Sequence, residues 1–128
     1  MALRTKMEIK SLLFLFLKYP AFLSRNTLCD MLEFEWYSVK EQLIAEKHGL
    51  DIETVKQIFV DPGRIVQYDN VHSGLEERWQ TLGKVKDVLF TVYTERGEKI
   101  RIITARKATP AERQEYYGTS NKGYWFIP

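Results

Sequence analysis

The sequence predicts an α+β domain: an antiparallel four-stranded sheet preceded by a short N-terminal strand, with two N-terminal helices and one C-terminal helix. Three observations carry that expectation. Two helix-start signatures with glycine or proline stops lie between Ser38 and Gly63. Short apolar segments bounded by turn residues fill the stretch from Arg64 to Ala105. A capping box then opens at Thr109. At 128 residues, 45% apolar and 28% charged, the chain has the size and composition of one globular domain that buries its own core.

Leu32-Glu33-Phe34-Glu35-Trp36 alternates apolar and acidic side chains, the period of a strand. Ser38-Val39-Lys40-Glu41 has capping-box spacing and starts a helix to about Lys47. Gly49 ends it as a left-handed cap, with Lys47 and His48 in a last turn that suits cations. Asp51 caps a second helix, which aligns Ile52, Val55, Ile58 and Phe59 on one face until Asp61-Pro62-Gly63 stops it. Strands are expected at Arg64 to Tyr68, Glu77 to Gly83, Val88 to Thr94 and Lys99 to Ala105. Asp69 to Gly74 is a turn-rich loop, and the hairpins turn at Lys84 to Asp87 and at Glu95-Arg96-Gly97. Thr109-Pro110-Ala111-Glu112 sets a hydroxyl and a carboxyl for reciprocal bonds to backbone amides, with proline at the first helical position. That helix runs from Pro110 to Tyr117 and stops at Gly118. Trp36, Trp79 and Phe90 are core candidates.

The ends read differently from the middle. Residues 1–30 form a leader outside the core domain of 31–118, and 119–128 form a polar, then aromatic, tail. Ser11 to Leu17 is an apolar run behind Arg4, Lys6 and Lys10, too short for the roughly 20 residues that span a bilayer. Three readings stay open for it: an over-extended start with Met31 as the true first residue, a secretory signal without an A-x-A-like cleavage site, or a docking helix. The single cysteine, Cys29, excludes an intrachain disulfide and points to a reducing compartment. Two histidines leave little material for a transition-metal site.

Charge is polarised along the chain. Glu33 to Asp61 holds seven acidic and three basic residues, whereas Lys84 to Lys107 holds seven basic and three acidic. Arg96, Lys99, Arg101, Arg106, Lys107 and Arg113 fall close together, interleaved with isoleucines and running into the capping box. Cations on a hairpin beside a helix start make a phosphate site. A charged, soluble edge hairpin is the other reading of the same residues.

The order of elements and four motifs resemble the BrnT family of toxins from type II toxin–antitoxin systems. The residues that carry the likeness are Phe34-Glu35-Trp36 and Lys47-His48-Gly49 followed by Asp51-Ile52-Glu53. Next come His72-Ser73 with Glu76-Glu77-Arg78-Trp79 and Gly83. Then follow Val92 to Arg96, Ile100 to Arg106, Glu112-Arg113 and Tyr116. The match runs from about Leu32 to Tyr117. Tyr37 stands where the family usually has aspartate, and Ile44 where asparagine is common in the first helix.

The resemblance implies a RelE-like fold in a cytoplasmic, metal-independent endoribonuclease without cofactor. Such a protein inhibits translation and is silenced by a BrnA-like antitoxin with a ribbon-helix-helix domain, as a toxin–antitoxin heterotetramer away from membranes. A catalytically inactive antitoxin-binding or co-repressor module of the same fold is the alternative. Metal-free RNA cleavage uses the 2′-hydroxyl as nucleophile, so the protein must take its proton and stabilise charge on phosphorus. Arg101 and Arg106 suit the phosphate, and Glu112, His48 and Lys47 are the acid–base candidates. Arg78, Tyr93, Arg96, Arg113 and Tyr116 are the expected RNA contacts. Structural roles compete with each. Glu112 belongs to the capping box, Lys47 and His48 to a helix end, and Arg78 to a cross-strand ion pair. Arg113 is placed to stack on Tyr116 or Tyr117, and His72 reads as a solvated loop residue. Arg101 and Arg106, five apart, face opposite ways on a regular strand, so sharing a site requires the strand to bend or end near Ala105.

Overall fold

The computed structural model describes residues 29–122; the readings of the leader and of the aromatic tail lie outside them. The elements are β1 (Glu33–Glu35), α1 (Ser38–His48), α2 (Ile52–Gln57), a 3-10 turn (Ile58–Val60), β2 (Ile65–Tyr68), β3 (Trp79–Lys84), β4 (Val88–Arg96), β5 (Lys99–Lys107) and α3 (Pro110–Lys122). They build one five-stranded sheet in the order β1-β5-β4-β3-β2. The last four strands form the expected antiparallel stack. The short N-terminal strand joins it in parallel beside β5, pairing Glu33 with Lys99 and Glu35 with Arg101, so the sheet is mixed. A parallel partner needs a long crossover, and α1, α2 and three strands supply it.

Several local expectations hold in atomic detail. Gly49 takes φ +63° and returns its amide to the Ala45 carbonyl, and Asp51 accepts the Glu53 amide. Gly97, at φ +61°, opens the tight turn between β4 and β5, where a positive φ is required. Three differ. Tyr37 rather than Ser38 is the N-cap of α1 and makes no side-chain cap bond, and the Glu41 carboxylate accepts the Trp36 indole N–H at 2.9 Å instead of closing a capping box. The segment Glu77-Arg78 stays outside β3, held to its loop as the Arg78 amide donates to Ser73 Oγ and Thr94 Oγ1 donates to the Glu77 carbonyl. Gly118 does not stop α3, which continues to Lys122; glycine stops a helix by turning left-handed, and Gly118 does not.

The two sheet faces have different covers. On one, α1, α2 and the 3-10 turn set Ile44, Leu50, Ile52, Val55, Ile58 and Phe59 against Leu89, Tyr93, Ile100, Ile102 and Ala105. Phe59 meets Tyr93 edge-on at 5.0 Å. The backbone of the 3-10 turn lies so close to β3 that a β-carbon on Gly83 would stand 2.8 Å from the Ile58 carbonyl oxygen. On the other face, among the described residues, α3 covers one end, packing Tyr116 with Ile65, Leu82, Val88 and Ala108 against a half-buried Phe90. Part of that second face is therefore left to the polar and charged residues of β5.

Candidate nucleic-acid interface

Thr104 pairs with Val92 and Ile102 with Tyr93, so Ile103 is an extra residue bulged out of the β4–β5 ladder. The bulge settles where the two arginines point. Arg101 pairs with Thr94 and Arg106 with Phe90. Phe90, Val92 and Thr94 alternate onto one face of β4, so Arg101 and Arg106 share that face, contrary to the expectation for a regular strand. Their positions are roughly 13 Å apart at the usual rise per residue. The row Ile65, Leu82, Phe90, Arg106 crosses the sheet at the α3 end, and Gln67, Gln80, Val92, Thr104 form the next row.

Arg106 is held on three sides. Its Nη1 and Nη2 donate to Glu112 Oε1 and Oε2 at 2.8 and 3.0 Å, Nη1 also reaches the Lys107 carbonyl, and its Cζ lies 4.1 Å from the Phe90 ring centroid. Among the described residues nothing takes the Nε–H or the second Nη2–H. These form a two-donor edge matched to phosphate oxygens, on a side chain 34% exposed. Glu112 completes the expected capping box: it accepts the Thr109 amide at 2.9 Å, and its own amide donates to Thr109 Oγ1. Burial alone would raise the Glu112 pKa, but the bonds from Arg106 and the Thr109 amide, with the arginine charge, outweigh it. The carboxyl is held below the usual glutamate range. It is an anion at neutral pH and orients Arg106.

Arg101 occupies the opposite end of the row along β5. Its Nη1 donates to Glu35 Oε1 at 3.0 Å, and its Cζ lies 4.0 Å from the centroid of the Tyr37 ring. The parallel β1–β5 pairing brings both partners there. Tyr37, 58% exposed, is the aromatic residue that sequence reasoning missed. Its signals were its departure from the family's usual aspartate and its place two residues after Glu35, which gains meaning once β1 is known to lie beside β5.

The other expected residues separate. Tyr93 is 1% exposed and packs among core rings, with burial pushing its pKa up; Tyr116 is 6% exposed and donates to Asp61. Neither ring can receive a base, which corrects both assignments. Lys47 and His48 end α1, whose Ile44 packs on the opposite face of the sheet, so they do not join Arg106 and Glu112. Arg96 pairs with Glu76 at 3.0 Å near the β4–β5 turn. Arg113 is exposed and donates to the Ala108 carbonyl rather than stacking. Arg78 is half-buried just before β3.

His72 is solvent-facing yet tied, its Nδ1 lying 3.0 Å from Asp69 Oδ2. Burial would raise the Asp69 pKa, but bonds from the His72 amide, the Gln80 side chain and the His72 ring lower it overall. A groove of about 40 Å³ runs from Gln67 and Gln80 past Phe90 to Glu112 and Glu115. Among the described residues, no three His, Cys, Asp or Glu side chains gather to hold a metal, and no helix is long and apolar enough to cross a membrane.

A mixed sheet with a clamped arginine on its partly open face defines a small α+β domain equipped to hold a phosphate. A family model described as ribonuclease toxin, BrnT, of type II toxin-antitoxin system matches residues 36–112. The chain belongs to this family of ribonuclease toxins. The crystal structure of the Brucella abortus ribonuclease toxin BrnT is similar over 61% of this chain and 97% of that one, at 20% identity and a TM-score of 0.47. Among curated proteins, none matches the chain.

Proposed function

We propose that the chain is a metal-independent, RelE-like endoribonuclease that cleaves RNA and thereby inhibits translation in the bacterial cytoplasm. The observation that carries this reading is the Arg106 guanidinium, fixed by Glu112 and Phe90 with a two-donor edge left over. A phosphodiester docks on that edge. The 2′-oxygen attacks phosphorus, a 2′-O–P bond forms and the P–O5′ bond breaks, leaving a 2′,3′-cyclic phosphate and a 5′-hydroxyl. Arg106 stabilises the added negative charge. As the phosphate draws the guanidinium to itself, Glu112 Oε2 is freed to take the 2′-hydroxyl proton, and solvent protonates the leaving oxygen. Arg96 and Arg113 add charge to the RNA path, and Arg78 extends it toward β3; Arg101, buried and paired with Glu35 beneath Tyr37, does not reach the phosphate as the sequence suggested.

In this reading a BrnA-like ribbon-helix-helix antitoxin covers the basic face in a heterotetramer. Residues 31–118 make the toxin domain, with the leader and tail outside it. Induction in bacteria is expected to arrest growth, and the purified chain is expected to cleave RNA in the presence of a chelator. R106A is expected to relieve the growth arrest and to slow cleavage by about 10²–10³. Harmless induction with intact RNA favours the second reading, an inactive antitoxin-binding co-repressor module. That reading draws on one observation, the engagement of both Glu112 oxygens by Arg106.

A further inference from the structure

We infer that the Tyr37 ring is a stacking platform for an RNA base, at the end of β5 opposite the Arg106 clamp; the inference rests on the ribonuclease reading above. Four observations converge. The ring is 58% exposed, so a face is open to solvent. Its position is fixed from behind by the Arg101 guanidinium at 4.0 Å, and that guanidinium is itself fixed by Glu35. Tyr37 sits at an N-cap, where a short polar side chain normally bonds a helix amide, yet it makes no such bond. The position carries a large ring where helix stability favours a small polar group. Finally, the Ile103 bulge puts Arg101 on the same face as Arg106.

An exposed aromatic face held on a buried, Glu35-paired guanidinium, about 13 Å along one strand from the Arg106 clamp, is an arrangement that holds single-stranded RNA: the clamp takes the backbone and the ring takes a base. The half-exposed Thr104 lies between them and leaves room for the strand to run along β5. Stacking of this kind is tolerant of base identity, so Tyr37 positions the strand while Arg106 engages the phosphate.

The test uses the full chain and a single-stranded RNA with 2′-O-methyl riboses, which cannot supply the nucleophile, carrying 2-aminopurine as a stacking reporter. Y37F and Y37W are expected to bind within about two-fold of the unmodified chain, and Y37A and Y37N on the order of ten-fold more weakly, with 2-aminopurine quenching lost. Y37N supplies a good N-cap, so its thermal midpoint is not expected to fall with its affinity. The slope of log K against log salt is expected to stay unchanged in Y37A and to shrink by about one in R106A. Unaltered binding by Y37A and Y37N, alongside weakened binding by R106A, overturns the inference and leaves the ribonuclease reading standing. Failure of the unmodified chain to bind this RNA overturns both. A Y37A variant that loses only its antitoxin makes Tyr37 a protein contact and also overturns the inference.

Discussion

The Tyr116 hydroxyl donates to Asp61 Oδ2 at 2.6 Å across 55 residues of sequence, joining α3 to the loop behind the 3-10 turn. Asp61 also accepts the Gly63 and Lys84 amides and is almost wholly buried. Y116F removes one hydrogen bond to a buried carboxylate and is expected to cost about 1.5–3 kcal/mol in urea unfolding. D61A strands three donors and is expected to cost more. Equal stability of Y116F and the unmodified chain contradicts this role.

Gly83 is expected to tolerate no side chain. A methyl there meets the Ile58 carbonyl oxygen at 2.8 Å and the Ile58 β-carbon at 2.6 Å, and backbone cannot move aside as a flexible side chain would. G83A is expected to lower stability by about 1–3 kcal/mol through overpacking, read as a shift in denaturation midpoint at constant m-value.

In the proposed mechanism Arg106 acts through its fork, so its charge alone is not enough. R106A is expected to lower the RNA cleavage rate by about 10²–10³, the range for removal of a donor to a developing oxyanion. R106K keeps the charge but cannot offer a phosphate the guanidinium's paired parallel donors, and is expected to recover only a small part of the loss. Full activity of R106K in single-turnover assays contradicts the geometric claim.

Glu112 ties acid stability to the same site. Its folded pKa lies below its unfolded one, so its stabilising contribution is complete above the unfolded value of about 4.3 and disappears as pH falls through the lower folded value. E112Q is expected to be less stable than the unmodified chain at pH 7 and to converge with it as pH drops toward about 3. Thermal midpoints measured across that range check the sign; a gap that widens on acidification reverses it.

What could be read without coordinates was local. The Thr109–Glu112 box, the Gly49 cap and the Asp51 cap are set by residues four or fewer apart, and all three formed. A separation of only six residues likewise placed Arg106 beside Glu112. The readings that failed required distant information. Tyr93 is drawn inward by Phe59, and Tyr116 by Asp61. The Ile103 bulge exists only as a mismatch between two strands, so no periodicity within β5 alone could locate it. Glu41 fits a capping box in spacing, but it went to Trp36, a competitor lying outside that motif.

Because β1, among the described residues, has no neighbour in the sheet except β5, the earliest described strand waits for the last one to be synthesised. Arg101 meets Glu35, and Arg106 meets Glu112, only after the C-terminal hairpin and the start of α3 have left the ribosome. If the proposed site carries the activity, a nascent or prematurely terminated chain is disarmed by topology. The cell has until the end of translation to have a neutralising partner ready.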